Sequence, residues 1–196
     1  MHGIIGNEPG MLVVSGDFSQ IEVRVAAFYS QDAALIAACE SEDIHTGMAK
    51  AMWPTAESIS RELRIQGKHG TFRLVFGGSA QGIVNDSEEA DEDVAPISLD
   101  EATTMRRNFF SRFSGYRSYM TEKGAVMNRS GMRTLKLPWG HQRQYPPGQG
   151  TVNTYLNNQM QGTAALGLKE AVFQMEKRGL TPYLSALVHG LSLIHI

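Results

Sequence analysis

The sequence predicts a helix-rich α+β fold, on three observations. The strand-like apolar runs are short and lie near the two ends, at residues 11 to 16 and 186 to 188. Between them, apolar residues recur mostly at helical spacing. Glycine and proline gather in one stretch, residues 131 to 150, which reads as a turn-rich hairpin or loop region.

The elements follow in order. Met11-Leu12-Val13-Val14 opens a buried strand, and Asp17 stands where that strand gives out. Ile21, Val25 and Phe28 predict a helix over 21–28, and two more cover Asp32 to Cys39 and Asp43 to about Trp53, where Pro54 stops the last. Ser58 or Ser60 caps the next helix, which runs past Arg64 and Lys68 to Gly77-Gly78. The acidic run at 86–93 reads as a solvated loop. Ser98 and Glu101 make a capping box for a helix to about Phe113, which Ser114-Gly115 breaks before another helix from Tyr116 to about Asn128. A helix from Thr151 to Arg178 and a strand at Ala186-Leu187-Val188 complete the reading.

Composition narrows the function. With 196 residues, 42% of them hydrophobic, the chain can bury a sizeable core. No apolar run approaches the roughly 20 residues of a membrane helix, and the N-terminus lacks a signal-peptide pattern, so a cytoplasmic protein without a membrane partner is expected. The single cysteine, Cys39, excludes an internal disulfide and a cysteine zinc cage. "FGGSAQG" has no following Lys-Ser or Lys-Thr, the histidines are scattered, and no nucleophile elbow occurs. The net charge of −2 is segregated: from Arg106 to Arg143 nine cations face Glu122 alone. Interleaved with Phe109, Phe110, Phe113, Tyr116, Tyr119 and Trp139, that stretch is a candidate nucleic-acid footprint; a solvated helix face over a buried aromatic stripe is the other reading.

Two constellations carry chemistry. In "RELRIQGKHGTFRLVFGG", residues 61 to 78, steps of four align Arg64, Lys68, Phe72 and Phe76 on one stripe, while Leu63, Gly67, Gly70 and Leu74 form another face. Two cations and two rings spread over about 18 Å suit a ligand with phosphates at one end and a planar base at the other, a nucleoside triphosphate. A surface helix with two core aromatics is the plainer alternative. Asp17, led into by an apolar strand, calls for a cation and a second acid, unless it only caps the helix that follows.

These residues carry a resemblance. Asp17-Phe18-Ser19-Gln20-Ile21-Glu22-Val23-Arg24 resembles motif A of the DNA polymerase I family (family A), and Arg64-xxx-Lys68-xxx-Phe72-xxx-Phe76-Gly77 resembles its motif B. Asp43-Ile44-His45-Thr46 and Asn157-xxx-Gln161-Gly162-Thr163-Ala164-Ala165 match in order, so the likeness runs from about residue 11 to His189. It implies a partial palm, a small antiparallel sheet with helices, at 1–45 and 151–190, with a helical fingers subdomain at 46–150. Asp17 and the carbonyl of Phe18 would hold Mg²⁺, one of two ions in a complete enzyme. Arg64 and Lys68 would bind the triphosphate, Lys68 also assisting the leaving group, and Phe72 would stack on the incoming sugar and base. Phe76 would complete that stripe, Glu22 would gate the sugar, Gln20 and His45 would line the pocket, and Asn157, Gln161 and His189 would touch DNA. The implied partners are primer-template DNA and deoxynucleoside triphosphates, for a protein expected to be monomeric.

Several positions depart from the family pattern. Phe76 stands where tyrosine is usual, which implies a looser sugar gate; Asn153 replaces an arginine and Leu166 an acid. After His189 the family reads Asp-Glu, whereas here Gly190 follows, so the second metal acid is missing. Residues 191–196, Leu-Ser-Leu-Ile-His-Ile, resemble the translation of a transposon-end adapter, a non-native tail. A truncated polymerase piece without activity is therefore expected, its sheet left with an unpaired edge. The alternative is a non-catalytic nucleotide- or DNA-binding module that has lost the acid.

Overall fold

The computed structural model describes residues 13–89, 95–129, 131–188 and 191–195. In chain order these form β1 (Val13–Asp17), α1 (Ile21–Ser30), α2 (Ala33–Glu40), α3 (Ile44–Met52), α4 (Arg61–Val75), α5 (Ala80–Glu89), α6 (Leu99–Arg112), α7 (Ser114–Met127), β2 (Arg133–Lys136), β3 (Gln142–Tyr145), α8 (Val152–Lys177), β4 (Leu184–Val188) and β5 (Leu191–His195). The helix-rich α+β class read from the sequence is the observed one. One antiparallel sheet has the order β1-β5-β4, and β2 with β3 makes a separate hairpin.

Local chemistry sets the helix starts. Ser60 accepts from the Leu63 amide, Thr151 from Thr154, and Ser98 and Glu101 form the reciprocal capping box. Each satisfies an amide that the first helical turn leaves without a partner. The main core gathers Met48 and Met52 of α3, Leu74 of α4, Phe109 of α6, Tyr116 of α7 and Leu156 of α8. A smaller cluster of Met127, Leu135, Tyr145 and Tyr155 seats the hairpin on α7 and α8.

Three expectations are corrected. The acidic run at 86–93 starts inside α5, because Asp86 pairs with Arg73 of α4 and the buried Ser87 hydroxyl oxygen accepts from the Ile97 amide at 2.9 Å. The expected break between two helices is present but falls at Phe113, and Ser114-Gly115 already belongs to α7. The buried Asp32 carboxylate caps α2 through the Leu35 amide at 2.9 Å and also accepts from the Tyr116 amide in the first turn of α7 at 3.0 Å. Finally, the hairpin expected to be missing from the sheet is formed by β4 and β5. β5, which falls in the stretch read as a non-native tail, lies between β1 and β4 and pairs with both; strand pairing runs through backbone groups and tolerates many side chains.

Candidate functional site

Helix α4 has two faces with different work. Gly67, Gly70, Thr71, Leu74 and Val75 are buried, while Arg64, Phe72 and Phe76 are half-buried and Lys68 is exposed. The stripe therefore faces outward, with Phe76 packed in part against the core. Gly67 is where α3 comes closest: a Cβ there would stand 2.8 Å from the Ala49 Cβ and 2.9 Å from its Cα. That approach outweighs the helix penalty of about 1 kcal/mol that glycine carries relative to alanine. At Gly70 the nearest atoms are flexible methionine ends, Met105 Cε at 3.0 Å and Met52 Sδ at 3.2 Å.

Asp43 joins the start of α3 to the start of α4. Its carboxylate accepts from Arg64 Nε at 2.6 Å and Nη2 at 3.1 Å, from the Thr46 hydroxyl at 2.7 Å and from the His45 amide at 3.1 Å. The Arg64 hydrogen bond holds the Asp43 carboxyl far below the usual carboxylate range and raises the guanidinium in turn. His45 is pushed below its ordinary value, first by burial, then by the charges of Arg64 and Lys68, against the opposing charge of Asp43. Four residues of the two motifs thus share one field.

Among the described residues, three side-chain atoms are buried without a hydrogen-bond partner: Gln20 Oε1, His45 Nδ1 and Arg133 Nε. Buried polar atoms in folded proteins are nearly always paired. Two of these three, Gln20 and His45, are residues that the family resemblance implies for a nucleotide pocket.

Asp17 is exposed at the end of β1, opposite Leu191 in the ladder. It does not cap α1: that position belongs to Gln20, whose backbone is left-handed (φ 51°) and whose side chain makes no cap bond. Arg24 Nε ties the turn by donating to the Ser19 carbonyl at 2.8 Å. Phe18 is exposed and Glu22 half-buried at the start of α1, which packs on α2, α4, α7 and α8. Among the described residues no group of three Asp, Glu, His or Cys side chains is placed to hold a metal.

Phe76 and Asn157 meet in a cleft of about 430 Å³, lined also by Arg73, Gly78, Asn153 and Thr154. Gln161 is exposed one turn further along α8, and Leu166 is buried. Asn153, the residue in place of an arginine, lies over Gly77, where a Cβ would stand 2.5 Å from the Asn153 Oδ1 and the φ of +78° disfavours any side chain. His189 and Gly190 fall outside the described residues. Sequence reasoning missed Arg73, because its partner Asp86 lies 13 residues away on another helix, at a distance in sequence that carries no signal.

The basic stretch divides. Phe109, Phe110, Phe113, Tyr116 and Tyr119 are core residues and offer no stacking platform, whereas Trp139 is exposed. Arg133 is buried and donates to the carbonyls of Met127, Pro146 and Gln149, holding the hairpin ends. Lys123 pairs with Glu122 at 2.8 Å and lies over the Tyr119 ring. Arg143 donates to Asn158 Oδ1 at 3.0 Å. Arg106, Arg107, Arg112 and Arg117 are exposed, and none of them pairs with a carboxylate among the described residues.

The family model described as DNA polymerase family A matches residues 2–189. DNA polymerase I of Aquifex aeolicus is 31% identical over 96% of this chain and 33% of its own length. The Geobacillus stearothermophilus DNA polymerase I is 29% identical over 89% of this chain and 20% of its own. The polymerase domain of Pol1 from M. smegmatis, solved in complex with DNA primer-template and dNTP, superposes with a TM-score of 0.71 at 26% identity, over 96% of this chain and 34% of that one. The chain thus spans about a third or less of the length of these relatives. With its family match running almost end to end, the chain belongs to DNA polymerase family A.

Proposed function

We propose that this chain is the nucleotide-gripping part of a template-directed DNA polymerase, which adds deoxynucleotides to a primer 3′-hydroxyl by two-metal phosphoryl transfer. The observation that carries this reading is the unpartnered His45 Nδ1 in the field of the outward-facing cations Arg64 and Lys68. A triphosphate there is held by Lys68, a compact donor free to follow the departing pyrophosphate, and by Arg64, whose fork Asp43 keeps pre-oriented. Phe72 stacks on the sugar and base, Phe76 and Glu22 bound the sugar, and Gln20 completes the pocket. Asn157 and Gln161 contact the primer-template. Residues 1–45 and 151–190 are palm, and 46–150 are fingers.

Asp17 and the Phe18 carbonyl offer oxygen donors of the kind Mg²⁺ prefers. A single carboxylate does not make a two-ion centre, and Gly190 supplies no donor side chain where the family has an acid. The donor set on this chain therefore does not fit two ions, and the chain by itself is inactive. Gly190 is also the feature that favours the second reading, a nucleotide- or DNA-binding module without catalysis.

The test is a titration of the full chain with a fluorescent deoxynucleoside triphosphate, followed by anisotropy, beside a magnesium-dependent primer-extension assay. Saturable binding that Lys68→Ala weakens about tenfold, with no extension, is the expected result. Binding indifferent to Lys68 overturns the nucleotide site, and detectable extension overturns the inactivity. Reading the source DNA through codon 189 separates the two functions: a frame continuing into Asp-Glu marks a polymerase whose tail 191–196 is foreign, and a stop after Ile196 marks the module.

A further inference from the structure

The hairpin of β2 and β3 ends in a turn from Leu137 to His141, closed by the Leu137 amide donating to the His141 carbonyl at 2.7 Å. At its tip Trp139 adopts the left-handed conformation, φ 54° and ψ 30°, and is 59% exposed. A left-handed backbone suits glycine and disfavours a bulky side chain. An indole ring left largely in water gives little packing in return. The turn therefore holds Trp139 at a cost to the fold, and strain of this kind collects where a ligand is met.

The surroundings say which ligand. Residues 123 to 169, which include the whole hairpin and most of α8, contain no aspartate or glutamate. Lys136 and Arg143 are exposed, one on each strand of the hairpin. Cations beside an open aromatic ring suit a nucleic-acid strand, with phosphates on the charges and a base on the ring. The hairpin is also fastened beside the candidate DNA-contacting residues. Arg143 donates to Asn158 Oδ1 at 3.0 Å, and Asn158 Nδ2 donates to the Tyr145 hydroxyl at 2.8 Å. A Cβ on Gly162 would stand 3.1 Å from Leu137 Cδ1, so the turn is seated directly on that glycine. Asn158 and Gly162 lie about one turn apart on the face of α8 that carries the hairpin. Asn157 and Gln161 form the adjacent face, rotated by about 100°. From these features we infer that Trp139 is a stacking platform: its indole takes an unpaired base of a strand bound along Asn157 and Gln161, while Lys136 and Arg143 hold neighbouring phosphates. The base must be unpaired, because inside a duplex both of its faces are covered by its neighbours. This inference rests on the nucleic-acid reading of α8 and adds to it a residue outside both motifs.

The experiment compares two fluorescein-labelled strands on the full chain by anisotropy, an oligodeoxythymidylate and an abasic strand of the same length, which keeps the phosphates and lacks the bases. Trp139→Ala should weaken binding of the intact strand about tenfold, within the range for base–aromatic stacking, and leave the abasic strand unchanged. Trp139→Phe should keep most of the affinity, since a ring still stacks. Trp139→Gly, which fits the left-handed backbone, should bind as weakly as the alanine variant while its urea midpoint holds or rises. Equal losses on the two strands, or a midpoint that falls together with affinity in the glycine variant, would make Trp139 a packing residue and overturn the inference. Binding of the intact strand that is indifferent to Trp139 overturns the platform alone. An unaltered chain that binds neither strand overturns it together with the nucleic-acid reading of α8.

Discussion

The two faces of α4 differ in what they tolerate. Inward, Gly67 meets the backbone of Ala49 and Thr71 donates to the Gly67 carbonyl at 2.7 Å; shape decides that side. Outward, Lys68 stands exposed and, among the described residues, Arg64 is held only by Asp43; charge decides that side. The lesson is that one helix can separate the positioning of a site from its chemistry, so that substitutions on either face should move different observables.

The largest effect should come from the inward face. Gly67→Val places branched carbons where Ala49 Cα already stands within 2.9 Å of any Cβ, so α3 and α4 must part. Overpacking of this kind costs about 3 kcal/mol, readable as a lower urea midpoint. A midpoint unchanged to within experimental error would abolish the distinction between the faces. Next, Lys68→Ala should cut triphosphate affinity about tenfold, as loss of one charge-assisted hydrogen bond does, while leaving the same midpoint alone. Equal losses in both assays would make Lys68 a packing residue.

Asp43→Asn sharpens the boundary between faces, since asparagine still caps a helix but no longer holds Arg64 as a carboxylate does. The Asp43 carboxyl is held below its unfolded value of about 3.9. Its stabilisation is thus complete above about pH 4 and drains away as the pH falls further. Solvent screening of this 38% exposed side chain keeps the effect near 0.5 kcal/mol. Denaturation at pH 7 and pH 3 should show a smaller acid loss in the variant than in the unaltered chain. The lowered His45 acts in the same direction, from about pH 6.5 downward, and is common to both proteins. The smallest effect belongs to Phe76→Tyr: nearly neutral for stability, with stronger rejection of ribonucleotides in an otherwise complete enzyme. Unchanged rejection would detach Phe76 from the sugar.

How far the sequence could be read follows from the range of the interactions involved. The bounds of α4, α6 and α8 were legible because their caps lie within three residues of the amides they satisfy, at Ser60, Ser98 and Thr151. The outward stripe was legible because helical spacing alone aligns it. Helix α5 was not, since its acids look solvated until Arg73 reaches Asp86. Nor were the fates of the arginines: Arg133 and Arg106 belong to one basic run, yet one is walled in by three carbonyls and the other opens on a cleft. Asp17 was placed correctly at a strand end, while position 190, where the family keeps its second acid, holds a glycine in the sequence itself.

The double role of Asp32 has a kinetic consequence. One carboxylate closes the first turns of both α2 and α7, which are separated by 84 residues at the Tyr116 contact. Neither helix end can fray without loosening the other, so the Leu35 and Tyr116 amides should exchange with deuterium in step, opening together as one cooperative unit.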